Sequence, residues 1–374
     1  MTLVGALGHD ARAVVDPRGG VQLRGEGWSL DWWIGADDRW RMPREEVSVR
    51  QSRVEGMPVA RTATRVPGGD AVERVYGTGD GSIVVEVEND SPAPFVVGLV
   101  IVGARSVEVD RSTAVVDGAP ALRTPRPPAR WAVGRSSAVW EAVVGGMASE
   151  GPLPAAHDPK GEITAALLHP VAHRTTLRAV LGAESADVLP TSDAVARGWA
   201  AQLHRGMRVD LPDPRVNEAV DGARAQLVLA AGTRSDPELM AALEDWGLDD
   251  EAELAWHRLA GRDRRRARKR RRVADAWPVP NDDEAHFLLG VRDLLARELD
   301  DGVEILRAVP GSWRGGNVDV RDVPLRAGSL SYSVRWHGPR PALLWDGPAG
   351  ITLRAPGLDP TWSTEEPSGE ALLA

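Results

Sequence analysis

The sequence predicts a multidomain, β-rich α+β protein. It has an N-terminal antiparallel β-sandwich over 1–190, a short helical region over 191–301 and a small C-terminal β-domain with a surface tail over 302–374. Three observations carry this. Up to about residue 190, short alternating segments recur every eight to twelve residues or so, separated by Gly, Pro, Asn and Asp. The apolar period then lengthens from two to 3.6. From Gly302 it returns to two. A chain of 374 residues also exceeds what one ordinary core serves, so two or three domains are expected.

The predicted strands of the first region are 13–15, 28–34, 47–54, 59–66, 71–76, 82–88 and 95–102. Between them lie turn-forming runs such as Pro67-Gly68-Gly69-Asp70 and Asn89-Asp90-Ser91-Pro92. The apolar run 93–104 is too short to span a bilayer, and its Val and Ile content fits a buried strand. The Pro- and Arg-rich stretch 122–130 reads as a surface loop.

About five helices fill the middle region, beginning with one over 192–203. Asp213-Pro214 and Asp236-Pro237 each supply an N-cap followed by a proline that suits the first helical position. Gly232 and Gly247 are placed to end those helices. Another helix starts near Asp250, and the next, over 283–299, carries Phe287, Leu288, Val291, Leu294 and Leu295 as its apolar stripe.

The clearest hairpin is LSYSVRWHGPRPALLWD, from Leu330 to Asp346. Leu330, Tyr332, Val334 and Trp336 share the buried face, while Ser331, Ser333, Arg335 and His337 share the other. Gly338-Pro339 turns the chain, and Ala342 to Trp345 forms the returning strand.

Composition narrows the function. There is no cysteine, which excludes disulfides and thiolate metal sites. Only Lys160 and Lys269 are lysines, so the basic residues are almost all arginine. The net charge is −9. Residues 257–273 hold ten basic residues and one acid, or +9, which leaves −18 elsewhere. A chain so acidic outside one window is a poor general nucleic-acid binder. The opening MTLVGALGHD has no basic segment and no long apolar stretch, so a cytoplasmic protein is expected, with no membrane partner. No phosphate-binding glycine loop, dinucleotide fingerprint or nucleophile elbow occurs, and no cofactor is expected. The histidines show no metal-ligand spacing, so no metal is expected.

The order sandwich, helices, small β-domain resembles the six-hairpin glycosidases, the glucoamylase-, rhamnosidase- and glycogen-debranching-like enzymes. SIVVEVENDSPAPFVV, from Ser82 to Val97, looks like their N-terminal sandwich, and GVEILRAVPGSW, from Gly302 to Trp313, like the entry to their C-terminal domain. The words RWHG and PALLW also resemble a family of proteins of no assigned function from high-GC bacteria. The resemblance implies a toroid of twelve helices. Such a ring takes well over ~200 residues, and 191–301 offers about half of that. The catalytic carboxylates of those enzymes sit on toroid loops, so no catalytic residue carries over. A glycosidase-like, carbohydrate-related protein without catalysis is the resulting expectation, with an oligosaccharide as partner.

Six residues are candidates for ligand binding. Trp33 lies on the face opposite Trp28, Leu30, Trp32 and Ile34, beside Asp31 and ahead of Asp38 and Trp40. Exposed, it would stack on a sugar ring with carboxylates at hand; covered, it would form a second core. Arg335 and His337 either grip a ligand or, respectively, pair with an acid such as Asp319 or Asp322 and bond backbone at the turn. Adjacent Glu244 and Asp245 diverge on a helix and more naturally mark a helix end than an acid–base pair. Two other classes of function stand beside glycan binding. One is an interaction protein that docks a partner or a second copy through the helices. The other is a polyanion binder that uses the run from Arg262 to Arg272, which lacks interleaved aromatics.

Overall fold

The computed structural model describes residues 1–7, 9, 11–153, 155–182, 189–232, 236–263, 276–279 and 283–374. The chain forms two compact units, Met1–Arg197 and Gly198–Ala374. The class is the expected multidomain, β-rich α+β arrangement.

The first unit is a sandwich of two sheets whose strand pairs are all antiparallel. One sheet has eight strands, with Ser29–Gly35, Phe95–Ala104 and Ile163–Val171 adjacent at its centre. The other has nine and ends in the run Thr176–Leu181, Ile83–Asp90, Gly69–Gly77, Val59–Val66, Arg50–Arg53. Alternation decides which side chains enter the core. Leu30, Trp32 and Ile34 from one sheet meet Ala71, Val75, Val85 and Val87 from the other. Val47–Val49 was expected in a strand; the strand runs only over Arg50–Arg53, and a 3-10 turn follows at Val54–Gly56.

The first region is not purely β. A helix, α1 (Ser136–Val144), buries Val139 and Val143 one turn apart on the outer face of the eight-stranded sheet. It covers Val100, Ala166 and Leu168 there, and Trp33 with them.

Helix α2 (Ser192–Leu203) spans the division between the units. In the second unit α3 (Pro214–Ala231), α4 (Pro237–Asp245), α5 (Asp249–Arg258) and α6 (Glu284–Leu295) pack on one another. The two Asp-Pro starts are N-caps as read. Asp213 accepts from the Arg215 amide and Asp236 from those of Glu238 and Leu239. The C-terminal half of α3 is buried nearly all round, as a central helix must be. Its Arg224 lies 5.6 Å from the centre of the Trp246 ring, and the Trp246 indole donates to the Leu288 carbonyl at 3.0 Å.

The last helix is shorter than expected. It ends at Leu295, and Ala296–Leu299 becomes a strand paired with Gly302–Ile305. Those strands, with Thr352–Ala355 and Asp359–Thr364, form a four-stranded sheet that includes one parallel pair. A five-stranded antiparallel sheet holds the hairpin, with strands Gly328–His337 and Arg340–Asp346 joined through Gly338-Pro339. The Tyr332 hydroxyl donates to the Leu295 carbonyl at 2.7 Å, fixing the hairpin to the end of α6. Trp336 is only half-buried, contrary to expectation, because it stands at the strand end opposite Pro341. Most of the arginine run lies outside the described residues.

Candidate functional site

The six residues singled out from the sequence do not form one site. Trp33 is 4% exposed and meets Trp140 of α1 edge-on, ring centres 5.1 Å apart. An indole so enclosed offers no face to a sugar, which corrects the exposed reading. Asp31 is buried beside it and pairs with Arg44 at 3.1 Å. Burial still pushes its carboxyl above the ordinary value, although Arg44 and the Trp32 amide act against it. The Trp40 ring lies over Gly35, where even a Cβ would come within 2.7 Å of it. Asp38 accepts two bonds from Arg41, at 2.8 and 2.6 Å, and those bonds hold it down to about 2. These four residues are local structure.

Arg335 Nη2 donates to both oxygens of Asp319, each at 2.8 Å, and Ser333 donates to the same carboxylate. His337 is exposed at the strand end. That arrangement is the surface ion pair the sequence allowed, with its acceptor oxygens largely used.

Glu238, Asp283 and His286 bring ligand atoms within 4.8 Å of one another. They sit at the N-terminal ends of α4 and α6, whose positive partial charge opposes a cation, and Asp283 already caps α6. A hollow of about 230 Å³ near Arg12, Arg24, Glu26 and Asp80 is smaller than an ordinary ligand pocket. Inside the sandwich, Glu73 is wholly buried, and its Oε2 has no hydrogen-bond partner. Desolvation, with Asp31 and Asp16 nearby, pushes its pKa well above the ordinary value. Glycine at position 19, φ +94°, leaves room for it; an added Cβ would stand 2.3 Å from Oε2.

The richest arrangement lies on the outer face of the nine-stranded sheet. The register sets Ser52, Arg61, Arg74, Glu86 and Arg178 in one row across five strands. Arg178 Nε donates to Glu86 Oε1 at 2.7 Å, and Tyr76 in the next row donates to the same oxygen at 2.7 Å. Glu86 and Tyr76 are buried and anchor the row; the burial and the carboxylate push the phenol up. Arg74 donates to Glu88 at 2.7 Å. The outer parts of Arg61, Arg74, Glu88 and Arg178 remain partly exposed. They give a strip of planar donors and carboxylate acceptors on a rigid sheet, suited to paired hydroxyls or to an anion. It carries no exposed acid pair set for acid–base work.

Sequence reading missed this row, although half of it was accessible. Val59–Val66 and Gly69–Gly77 pair Val66 with Gly69 across the Pro67-Gly68 turn, and that register alone sets Arg61 opposite Arg74. Arg178 joins through the pairing of Thr176–Leu181 with Ile83–Asp90, strands far apart in sequence, which no local signal reveals.

No family model matches the chain, and no curated protein matches it.

Proposed function

We propose that the chain is a glycosidase-like, carbohydrate-related protein that binds an oligosaccharide without cleaving it, on the outer face of the nine-stranded sheet. The observation that supports this most is the row Arg61, Arg74, Glu86, Arg178 with Tyr76 behind it. Sugars present vicinal hydroxyls, and a fixed strip of guanidinium donors beside carboxylate acceptors matches that pattern with little ordering cost. Docking through the helices has less support, since Leu254 is the one exposed large apolar residue on α2 to α6 among the described residues. Polyanion binding rests on the arginine run, of which only Arg262 and Asp263 are described.

A glycan-array screen with and without added salt, followed by calorimetric titration of the hits, tests the reading. Binding is expected, and Arg178→Gln is expected to weaken it at least tenfold. A wild-type protein that binds no glycan, or one whose hits are indifferent to Arg74→Gln and Arg178→Gln, overturns it.

A further inference from the structure

Arg61 and Arg74 are direct cross-strand neighbours on the outer face of the nine-stranded sheet. Directly opposed residues have Cβ atoms about 5 Å apart, and like charges so placed destabilise a sheet. Arg74 is neutralised on one side by Glu88, through one terminal nitrogen. The Arg61 side chain makes no hydrogen bond or ion pair among the described residues, and the residue is half-buried. The acids of this face are otherwise engaged. Glu86 serves Arg178, and Asp70 serves Arg50 and Arg65. Asp90 stands two rows away from Arg61, opposite Asp70, and Glu108 and Asp110 lie on the strand Ser106–Asp110 toward the far edge of the sheet. The face therefore carries one uncompensated, partly desolvated guanidinium beside a second whose remaining N–H groups make no bond among the described residues, in a chain of net charge −9.

We infer that Arg61 and Arg74 together receive an oxyanion, so that the oligosaccharide held on this face is an acidic one, carrying a carboxylate or a phosphate. This rests on the glycan-binding reading and adds the chemical class of the ligand. Two guanidinium forks from adjacent strands converge on a planar or tetrahedral oxyanion as one fork cannot. The anion also removes the like-charge repulsion between them. Neutral sugars would use the Arg178 end of the row and leave the Arg61 end unfilled.

The test is calorimetric titration, at low and at high salt, with four ligands: a neutral oligosaccharide, its uronate-containing counterpart, a sugar phosphate, and inorganic phosphate. The last two, set against the uronate, separate phosphate from carboxylate as the preferred group. The acidic sugar is expected to bind at least tenfold tighter than the neutral one, with the advantage shrinking in high salt. Arg61→Gln is expected to abolish that preference without lowering Tm, and Arg61→Lys to restore part of it. Equal binding of neutral and acidic sugars, or a preference that persists in Arg61→Gln, overturns the oxyanion site alone. Binding of inorganic phosphate that depends on Arg61, with no binding of any oligosaccharide, keeps the site and overturns the glycan reading. No binding of any of the four overturns both.

Discussion

Replacing Trp33 by alanine removes an indole that is 4% exposed and packed among Val100, Ala166, Leu168, Val139 and Val143. Truncations of this kind in cores cost about 3–5 kcal/mol. The edge-on contact with Trp140 adds about 0.5–1.5 kcal/mol beyond area. The Trp33 cavity cannot close easily, because its floor is the sheet and its roof is α1. For a unit the size of Met1–Arg197, each kcal/mol moves Tm by about 2–4 °C, so a loss of about 3.5–6.5 kcal/mol becomes a fall of about 7–26 °C. Differential scanning calorimetry is the assay, since a chain of two units need not melt in one step. Trp140→Ala should cost less, as Trp140 is only partly buried, and the double variant should lose less than the sum of the two. A Trp33→Ala protein that melts within about 2 °C of wild type would refute the packing described for α1.

Three further outcomes follow from buried and exposed groups. His169 lies in the sandwich core with both ring nitrogens unpartnered, and burial lowers its pKa from about 6.5 to about 4. The unfolded chain then binds the extra proton between those values, so stability is full above about pH 6.5 and about 3 kcal/mol is lost on descending to pH 4; denaturant melts across that range should show the loss, and His169→Leu should flatten it. Glu73 has the opposite sign: its raised pKa stabilises the fold fully below the unfolded value and loses that contribution as pH rises, so Glu73→Gln should gain on wild type in melts at pH 8 and lose the advantage at pH 4. In the hairpin, Arg335→Ala should cost under about 1 kcal/mol as a partly exposed pair, and Trp336→Ala about 1–2 kcal/mol because only part of the ring leaves water, both measured in urea.

The architecture was legible where a local period or a cap dictated it. The Leu330 to Asp346 hairpin announced its own turn and faces, and Asp213-Pro214 and Asp236-Pro237 announced two helices. Helix α1 was not read, since SSAVWEAVV is short and rich in Val, which suits a strand as well. That one omission left Trp33 open to two readings, because the strand's parity shows which face an indole takes and not what covers it. Trp336 failed for a related reason: alternation assigns a face but not the distance to the strand end, where cover runs out. Buried ionisable groups were invisible for a different reason. Glu73 and His169 occupy inward positions beside Ala71, Val75, Leu167 and Val171, and only the meeting of two sheets makes those positions dry.

Arginine-selective labelling with phenylglyoxal, read by mass spectrometry with and without a bound acidic oligosaccharide, tests the binding face most directly. Protection of Arg61, Arg74 and Arg178, with Arg335 and Arg39 labelled equally in both states, is the expected result. Unchanged labelling of those three in the presence of a ligand that demonstrably binds would contradict the assignment of the nine-stranded sheet's outer face as the site.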